Sequence, residues 1–163
     1  MVAPPIIPGI SIRVAEPADA AAIVRFMCGL SQTSRHLRFF GMLSDPAIVA
    51  ETLEEIGGSG AISMIAVHED SADVVGHAIV IPEREGPAEL AVAVADAYQN
   101  HQIGTLLVEA VMRGAREVGV QEIRADVLAG NHRMLDIFAR EGYVLAADWG
   151  SGIVHATAAP PRI

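Results

Sequence analysis

The sequence predicts an α/β or α+β fold, built on a mixed sheet of about seven strands that is flanked by helices. Two observations lead to this class. Short apolar runs bounded by polar turns recur along the chain, which is typical of strands. Longer segments have apolar residues three and four positions apart, which is typical of helices. The predicted order of elements is β-ααα-βββ-α-β-α-ββ.

The first predicted strand covers residues 11–16, where Ile12 and Val14 alternate with other residues and face inward. Pro17 is suited to open the helix that follows, and Asp19 is suited to its first turn. This helix is expected to reach about residue 30, because four apolar residues have helical spacing: Ile23, Phe26, Met27 and Leu30.

Two further helices are predicted before the middle of the chain. Ser31 or Thr33 can cap the first of them, whose apolar residues are Leu37, Phe39 and Phe40. The second covers residues 46–56. The glycine-rich residues 57–60 then break the chain before the first strand of the sheet's central part.

Six strands and two helices are predicted in the rest of the chain. The strands cover residues 61–69, 73–81, 88–95, 122–128, 143–147 and 153–158, and the first two form a hairpin. The first helix ends before Gly119, and its apolar face consists of Ile103, Leu106, Leu107, Ala110, Val111 and Val118. Asn131 caps the second helix, which ends at Gly142 and contains Met134, Leu135 and Phe138.

The net charge of −9 argues against nucleic acid or an anionic membrane as the main partner. No apolar run reaches the length of about 18 residues that a membrane-spanning helix needs, so no membrane segment is expected. The N-terminus lacks the basic segment of a secretory signal, and a cytoplasmic location is expected. The expected organisation is a flexible arm (1–10), a single domain (11–158) and a short tail (159–163).

Cysteine and histidine give no indication of a metal site. Cys28 is the single cysteine, which excludes an internal disulfide and a cysteine zinc cluster. We expect it to be buried as a small apolar residue. The six histidines have no spacing that is typical of metal ligands, so no bound metal is expected.

The most informative stretch lies between the strand at 88–95 and the helix that begins near Ile103. A short polar loop, Gln-Asn-His-Gln at residues 99–102, connects the two. The first amides of a helix have no partner within it, and the helix dipole adds partial positive charge at that end. This arrangement predicts a site for phosphate or pyrophosphate that needs no lysine or arginine.

This loop resembles the cofactor loop of the GNAT superfamily of N-acetyltransferases, Arg/Gln-x-x-Gly-x-Gly/Ala, at residues 99–104. Asn131 opens a helix that ends in Gly142-Tyr143, and this resembles a second signature of the family. The resemblance runs from about residue 12 to residue 158. It implies a mostly antiparallel sheet, acetyl-CoA as co-substrate and the following binding residues: Val92, Ala93, Val94, Gln99, Asn100, His101, Gln102, Ile103, Gly104, Thr105 and Asn131.

Two segments also resemble the bacterial protein lysine acetyltransferases: residues 30–41, Leu-Ser-Gln-Thr-Ser-Arg-His-Leu-Arg-Phe-Phe-Gly, and residues 88–99. This narrower resemblance implies a protein lysine as acceptor and Glu89 as general base. Side chains alternate along a strand, so Glu89 shares a face with small residues that leave room for a thin ligand: Ala91, Ala93 and Ala95. As a base, Glu89 is expected to be semi-buried on that face; the alternative is a glutamate exposed at the end of the strand.

Two residues depart from the family pattern. Gln102 stands where the family has its first loop glycine, and a side chain there can crowd a pyrophosphate or change the backbone angle. Phe138 stands where many members have a tyrosine as general acid, which leaves that role without an obvious owner.

Two alternatives to protein lysine acetylation stay open. The acceptor can be a small amine, or the chain can be an acyl-CoA-sensing module without turnover. Monomer and homodimer are both open as well, because the two closing strands can pair across a dimer.

Overall fold

The structure is a computed structural model that describes residues 8–34 and 60–160. Its strands are β1 (Ile10–Val14), β2 (Ile62–His68), β3 (Val74–Ile81), β4 (Ala88–Val94), β5 (Ile123–Leu128), β6 (Val144–Asp148) and β7 (Ile153–Ala158). They form a seven-stranded sheet in the order β1-β2-β3-β4-β5-β7-β6. Within it β4 and β5 are parallel, and every other neighbouring pair is antiparallel. The predicted mixed, mostly antiparallel sheet is confirmed.

The helices of the described chain are α1 (Ala20–Cys28), α2 (Ile103–Glu117) and α3 (His132–Arg140). Each lies where the spacing of apolar residues predicts it. The other two predicted helices lie outside the described residues, apart from a helical turn at residues 32–34, and so do residues 1–7 of the arm and 161–163 of the tail. No helix within the two described ranges has the length and apolar character needed to cross a membrane.

The sheet is packed between helices on both faces. The cluster that fixes α1 consists of Ile23, Phe26, Met27, Leu30, Ile65, Val67, Val74 and Ala93. The predicted apolar stripe of α1 is therefore confirmed as buried. Ala66 belongs instead to the larger cluster under α2 and α3, because successive strand residues face opposite sides of a sheet. The two faces of the central strands thus meet different helices.

Three predicted burials are wrong. Val14 is 59% exposed, since it ends β1 at the edge of the sheet. Val118 is 63% exposed, since it lies beyond the last turn of α2 as its capping residue. Cys28 is also exposed. It follows Ile23 by five residues, which places it about 140° around the helix from that buried side chain.

Candidate active site

β4 and β5 begin as neighbours and then separate. In the described chain, their parallel pairing covers Ala88 with Ile123 and Glu89 with Arg124, and nothing beyond. β4 continues to Val94 and is paired with β3 along its other side. The edge of β4 after Glu89 therefore faces a gap in the sheet, which we call the fork. An extended ligand can pair with a strand edge of this kind.

A cleft of about 610 Å³ lies beside the end of β4. The end of β4, the loop before α2, the first turn of α2 and much of α3 form its walls, together with Thr33 and Ser34. Most of the residues that the sequence predicts for acetyl-CoA line it: Val92, Ala93, Val94, Gln99, Asn100, Gln102, Ile103, Gly104, Thr105 and Asn131. His101 is exposed and is not part of this lining.

The first turn of α2 brings backbone amides to the cleft. The first hydrogen bond within this helix runs from the amide of Leu106 to the carbonyl of Gln102, at 3.1 Å. The helix therefore supplies no acceptor for the three amides before Leu106, which belong to cleft residues Ile103, Gly104 and Thr105. The dipole of this 15-residue helix adds partial positive charge at the same end. A phosphate group fits both features.

Gln102 adopts the backbone conformation that a glycine would favour at this position. Its φ is +65°, and that of Asn100, two residues earlier, is +64°. Both values lie in the left-handed region, which costs a residue with a Cβ atom about 1–2 kcal/mol. The substitution for glycine therefore leaves the turn in place, and the Gln102 side chain is exposed.

Asn131 caps α3, as the sequence predicts. Its Oδ1 atom accepts a hydrogen bond from the amide of Met134 at 3.3 Å. The two N–H bonds of the Asn131 side-chain amide are not used by this cap. Since Asn131 also lines the cleft, a cap and a ligand contact are compatible at this residue.

Glu89 lines a second, smaller cavity of about 70 Å³. This cavity adjoins the cleft, because Val92, Asn131 and Met134 line both. The expected semi-burial of Glu89 is wrong, since its side chain is exposed. The reason is its place at the start of β4, whereas α1 covers Ala93 near the other end of the strand.

Phe138 is 1% exposed and forms part of the same small cavity. Its ring packs against that of Tyr143, with 4.7 Å between the centroids. The hydroxyl of Tyr143 donates a hydrogen bond to the Met112 sulfur at 2.8 Å, and burial raises the pKa of Tyr143. The side chain of Tyr143 is therefore buried in the core, and it does not line the small cavity.

Sequence reasoning missed a polar cluster beside Glu89. Asp126 on β5 lines the same small cavity, and its Oδ1 atom lies 2.6 Å from Nδ1 of His155 on β7. The Nε atom of Arg124 is 3.4 Å from the same oxygen. Asp126 and His155 are register partners, which only the strand order β5-β7 brings together. No local signal in the sequence could have indicated this pair.

Asp96, one turn after β4, is a second residue that sequence reasoning missed. Its carboxylate accepts hydrogen bonds from the Ser31 amide at 3.0 Å and from the Ser31 and Ser34 hydroxyls at 2.7 Å each. Burial raises the pKa of Asp96, but the hydrogen bonds from Ser34 and Ser31 together outweigh it and hold that pKa below its ordinary value. Asp96 therefore stays ionised at neutral pH at the wall of the cleft.

Within residues 8–34 and 60–160, no group of three histidine, cysteine or acidic residues could hold a metal ion.

Residues 35–143 match the model of the acetyltransferase (GNAT) family. The chain belongs to this family. It is thus an acetyl-CoA-dependent N-acetyltransferase, and the acetyl-CoA that the resemblance implies is confirmed as the co-substrate of this family.

Relatives of known sequence and structure agree with this family. An acetyltransferase of Pseudomonas aeruginosa is 29% identical over 138 residues, which cover 82% of this chain and 74% of the relative. The GNAT domain of S. lividans PAT superposes with a TM-score of 0.77 at 24% identity, covering 91% of this chain and 89% of that one. The Salmonella typhimurium protein yncA, solved with its cofactor acetyl-CoA, gives 0.76 at 18% identity, covering 95% and 96%.

Proposed function

We propose that this acetyltransferase modifies a primary amine, most specifically a lysine side chain of a protein, with Glu89 as general base. One observation carries the proposal: the cavity that Glu89 lines adjoins the cleft through Val92, Asn131 and Met134. A donor lying along the cleft would thus bring its thioester close to a carboxylate. The sequence resemblance of residues 30–41 and 88–99 to protein lysine acetyltransferases supports a lysine acceptor.

Acetyl-CoA would be held mainly by backbone groups. The amides of Gln102, Ile103, Gly104 and Thr105 would bind the pyrophosphate, with the Thr105 hydroxyl as a further donor. Gln99, Asn100 and His101 shape the loop that precedes them, and Ala93 lines the cleft between Val92 and Val94.

The pantetheine arm would lie in the fork, along the edge of β4. The backbone of Val92 and Val94 and the side-chain amide of Asn131 are its expected partners. The carbonyl of Val94 already accepts a 3.0 Å hydrogen bond from Gln99 Nε2. Val92 is therefore the better placed of the two strand residues to accept a bond from the donor.

The reaction requires a neutral amine. A lysine ammonium has an ordinary pKa of about 10.4, so at neutral pH it must lose a proton before it attacks the thioester carbonyl. Glu89 would take this proton as the new amide bond forms and the thiolate of coenzyme A leaves. Such a positioned base contributes about 10²–10⁴-fold to the rate.

The charge of the molecule favours a cationic acceptor. The net charge is −9, and Glu89 is an exposed carboxylate at the small cavity, whereas the charge of Asp126 there is offset by Arg124. Fields of this sign attract ammonium groups and raise their rate of encounter. A polyamine, an amino acid or an aminoglycoside has the same charge, so acetylation of a small amine is the alternative function.

Release of the free thiol from acetyl-CoA tests the proposal. The full chain is incubated with a lysine-containing protein, with polyamines, amino acids and aminoglycosides, and with no amine. We expect release above the amine-free rate with the protein acceptor. If thiol is released only with small amines, the acceptor is a small amine and not a protein lysine. If coenzyme A binds tightly and no acceptor causes thiol release, the chain is an acyl-CoA-sensing module.

A further inference from the structure

The two segments that resemble protein lysine acetyltransferases meet in the structure through side chains. Ser31 and Ser34 belong to the first segment and Asp96 to the second, and both hydroxyls donate to Asp96 Oδ1 at 2.7 Å. Ser31 Oγ also accepts a hydrogen bond from the Ser34 amide at 3.1 Å, which fixes the turn between the two serines. Asp96 follows Ser34 by 62 positions in the sequence and Ser31 by 65.

Ser34 extends these contacts to the loop before α2. Its hydroxyl oxygen accepts a hydrogen bond from Gln99 Nε2 at 3.1 Å while its proton is donated to Asp96. The Oε1 atom of Gln99 in turn accepts a 2.6 Å hydrogen bond from Arg133 on α3. We call the set Ser31, Ser34, Asp96, Gln99 and Arg133 the clasp.

The clasp is a directional chain of donors and acceptors. It runs from the guanidinium of Arg133 through Gln99 and Ser34 to the carboxylate of Asp96. The donor at one end of this series of hydrogen bonds is therefore a cation, and the acceptor at its other end is an anion. Hydrogen bonds to ionised groups are the strong ones. The bonds at both ends of this chain are exposed to solvent, and the Gln99–Ser34 bond between them is partly buried.

The loop that the clasp holds is anchored at its start by two hydrogen bonds of its own, from the Tyr98 amide to the Ala95 carbonyl at 2.8 Å and from Gln99 Nε2 to the Val94 carbonyl at 3.0 Å, and it is held more weakly after them. The amide of Gln99 reaches the carbonyl of Asp96 at 3.4 Å, which is long for a backbone hydrogen bond. Asn100 and Gln102 follow in the left-handed region and lead directly into the amides of α2. The position of those amides thus depends on where Gln99 is held.

We propose that Asp96 and Ser34 are positioning residues for acetyl transfer, which act through Gln99 to hold the loop that binds acetyl-CoA. This inference depends on the proposed acetyl-CoA site in the cleft. The clasp ties residues 31–34 to the loop, so binding of the donor also fixes that wall of the cleft. Because coupling between two sites is reciprocal, whatever orders residues 31–34 also tightens acetyl-CoA binding.

Calorimetry with acetyl-CoA tests the clasp on the full chain. Replacing Ser34→Ala or Asp96→Ala is expected to weaken acetyl-CoA binding about tenfold, since each removes hydrogen bonds to an ionised group. Ser34→Thr keeps the hydroxyl and is expected to remain within about threefold of wild type. The value of kcat at saturating acetyl-CoA should change little, so the loss of affinity should appear as a higher KM for acetyl-CoA.

The matched control is Ser151→Ala. Ser151 donates a similar hydrogen bond to a carboxylate, at 2.8 Å to Asp148 Oδ2, in a turn outside the lining of the cleft. Its replacement should leave acetyl-CoA binding unchanged. An equal loss in this control overturns the inference, because general loosening of the fold would then explain the effect.

A double variant shows whether Ser34 acts through Gln99. In the background of Gln99→Ala, the further change Ser34→Ala should weaken binding by less than about twofold. Fully additive losses overturn the inference, because they assign the two side chains separate roles.

Hydrogen exchange distinguishes this positioning role from a purely structural one, because a purely structural role predicts no change on acetyl-CoA binding. The amide of Ser31 donates to Asp96 Oδ2 and lies outside the lining of the cleft. Acetyl-CoA should slow its exchange in wild type and have no such effect in Gln99→Ala. If wild type does not bind acetyl-CoA, the proposed function fails with the clasp; if wild type and both alanine variants bind equally, only the clasp fails.

Discussion

Gly76 of β3 lies so close beneath Leu107 of α2 that a Cβ atom at Gly76 would stand 2.8 Å from the Leu107 Cδ1 atom. Ile103 Cγ2 would be 3.3 Å away. Both side chains are almost fully buried, so neither has free space to move into. The absence of a side chain at Gly76 therefore sets how closely the first turn of α2 approaches the sheet.

The change Gly76→Ala should lower the free energy of unfolding by about 1–2 kcal/mol, because overpacking of a filled core costs that much. It should also weaken acetyl-CoA binding, since Ile103 supplies one of the amides at the end of α2. Urea unfolding and calorimetry measure the two effects. Gly150→Ala is the control, because Gly150 lies outside the lining of the cleft and a Cβ atom there meets only Asp148 Oδ1, at 3.5 Å. If Gly76→Ala has the stability of wild type, α2 can move away from the sheet without a loss of free energy of unfolding.

At the start of the same helix, Gln102→Gly should raise the free energy of unfolding by about 0.5–1 kcal/mol. Glycine removes the strain of the left-handed conformation, although it is more flexible in the unfolded chain. Acetyl-CoA binding should stay within about twofold, because the turn already has the backbone form it needs. Gln102→Val should lose about 1 kcal/mol or more, since a β-branched residue is strained at this φ. Equal stability of both variants would contradict this account.

The change Glu89→Gln should reduce kcat about 100-fold or more while acetyl-CoA affinity stays nearly constant, because an amide cannot take the proton of the amine. Thiol release and calorimetry separate the two quantities. Glu85→Gln is the control, since Glu85 is exposed in the loop before β4 and lines neither cavity. Full turnover in Glu89→Gln would end the role of Glu89 as base.

Two substitutions of Asn131 separate its cap from its proposed ligand contact. Asn131→Ala should lower the free energy of unfolding by about 1 kcal/mol and weaken acetyl-CoA binding as well. Asn131→Asp keeps the capping oxygen but loses the side-chain N–H donors. It should therefore keep its stability and lose affinity. If the aspartate variant binds acetyl-CoA as wild type does, Asn131 is a cap alone.

Arg13 and Asp19 should make stability depend on pH in the acid range. Arg13 donates two hydrogen bonds to the Asp19 carboxylate, at 2.7 and 2.9 Å, and they lower the pKa of Asp19 to about 2 against the opposing effect of burial. The ordinary pKa of aspartate is about 3.9. A pKa that is lower in the folded state gives stability that is present above pH 4 and lost as pH falls toward 2.

The expected size is about 1 kcal/mol, because Arg13 is 45% exposed and water weakens the pair. Urea unfolding of wild type and Asp19→Asn between pH 5 and pH 2 measures it. The difference between the two proteins should shrink as the pH falls. A difference that stays constant over this range would contradict a contribution from the ionised pair.

The sequence was sufficient for elements whose pattern is local. The apolar stripe of α1, the Asn131 cap and the hairpin of β2 and β3 each follow from residues a few positions apart. The loop before α2 could also be predicted to form the cleft, because strand, polar loop and helix follow one another directly.

Features that depend on strand order or on distant segments could not be predicted. Asp126 meets His155 only because β7 inserts between β5 and β6. Asp96 meets Ser31 across 65 residues of chain. The exposure of Glu89 has the same origin, because it depends on which end of β4 is covered by α1. Periodicity reports which way a side chain faces, but it does not report what covers that face.

Beyond Glu89, the edge of β4 that faces the fork is not paired with β5, and the proposed binding of acetyl-CoA would pair it. A molecule bound there stabilises the native state by mass action, by about 2.7 kcal/mol at a concentration one hundred times its dissociation constant. Resistance to heat and to proteases should therefore rise with the supply of the acetyl donor. The lifetime of this enzyme in a cell would then depend on the cellular concentration of the acetyl donor.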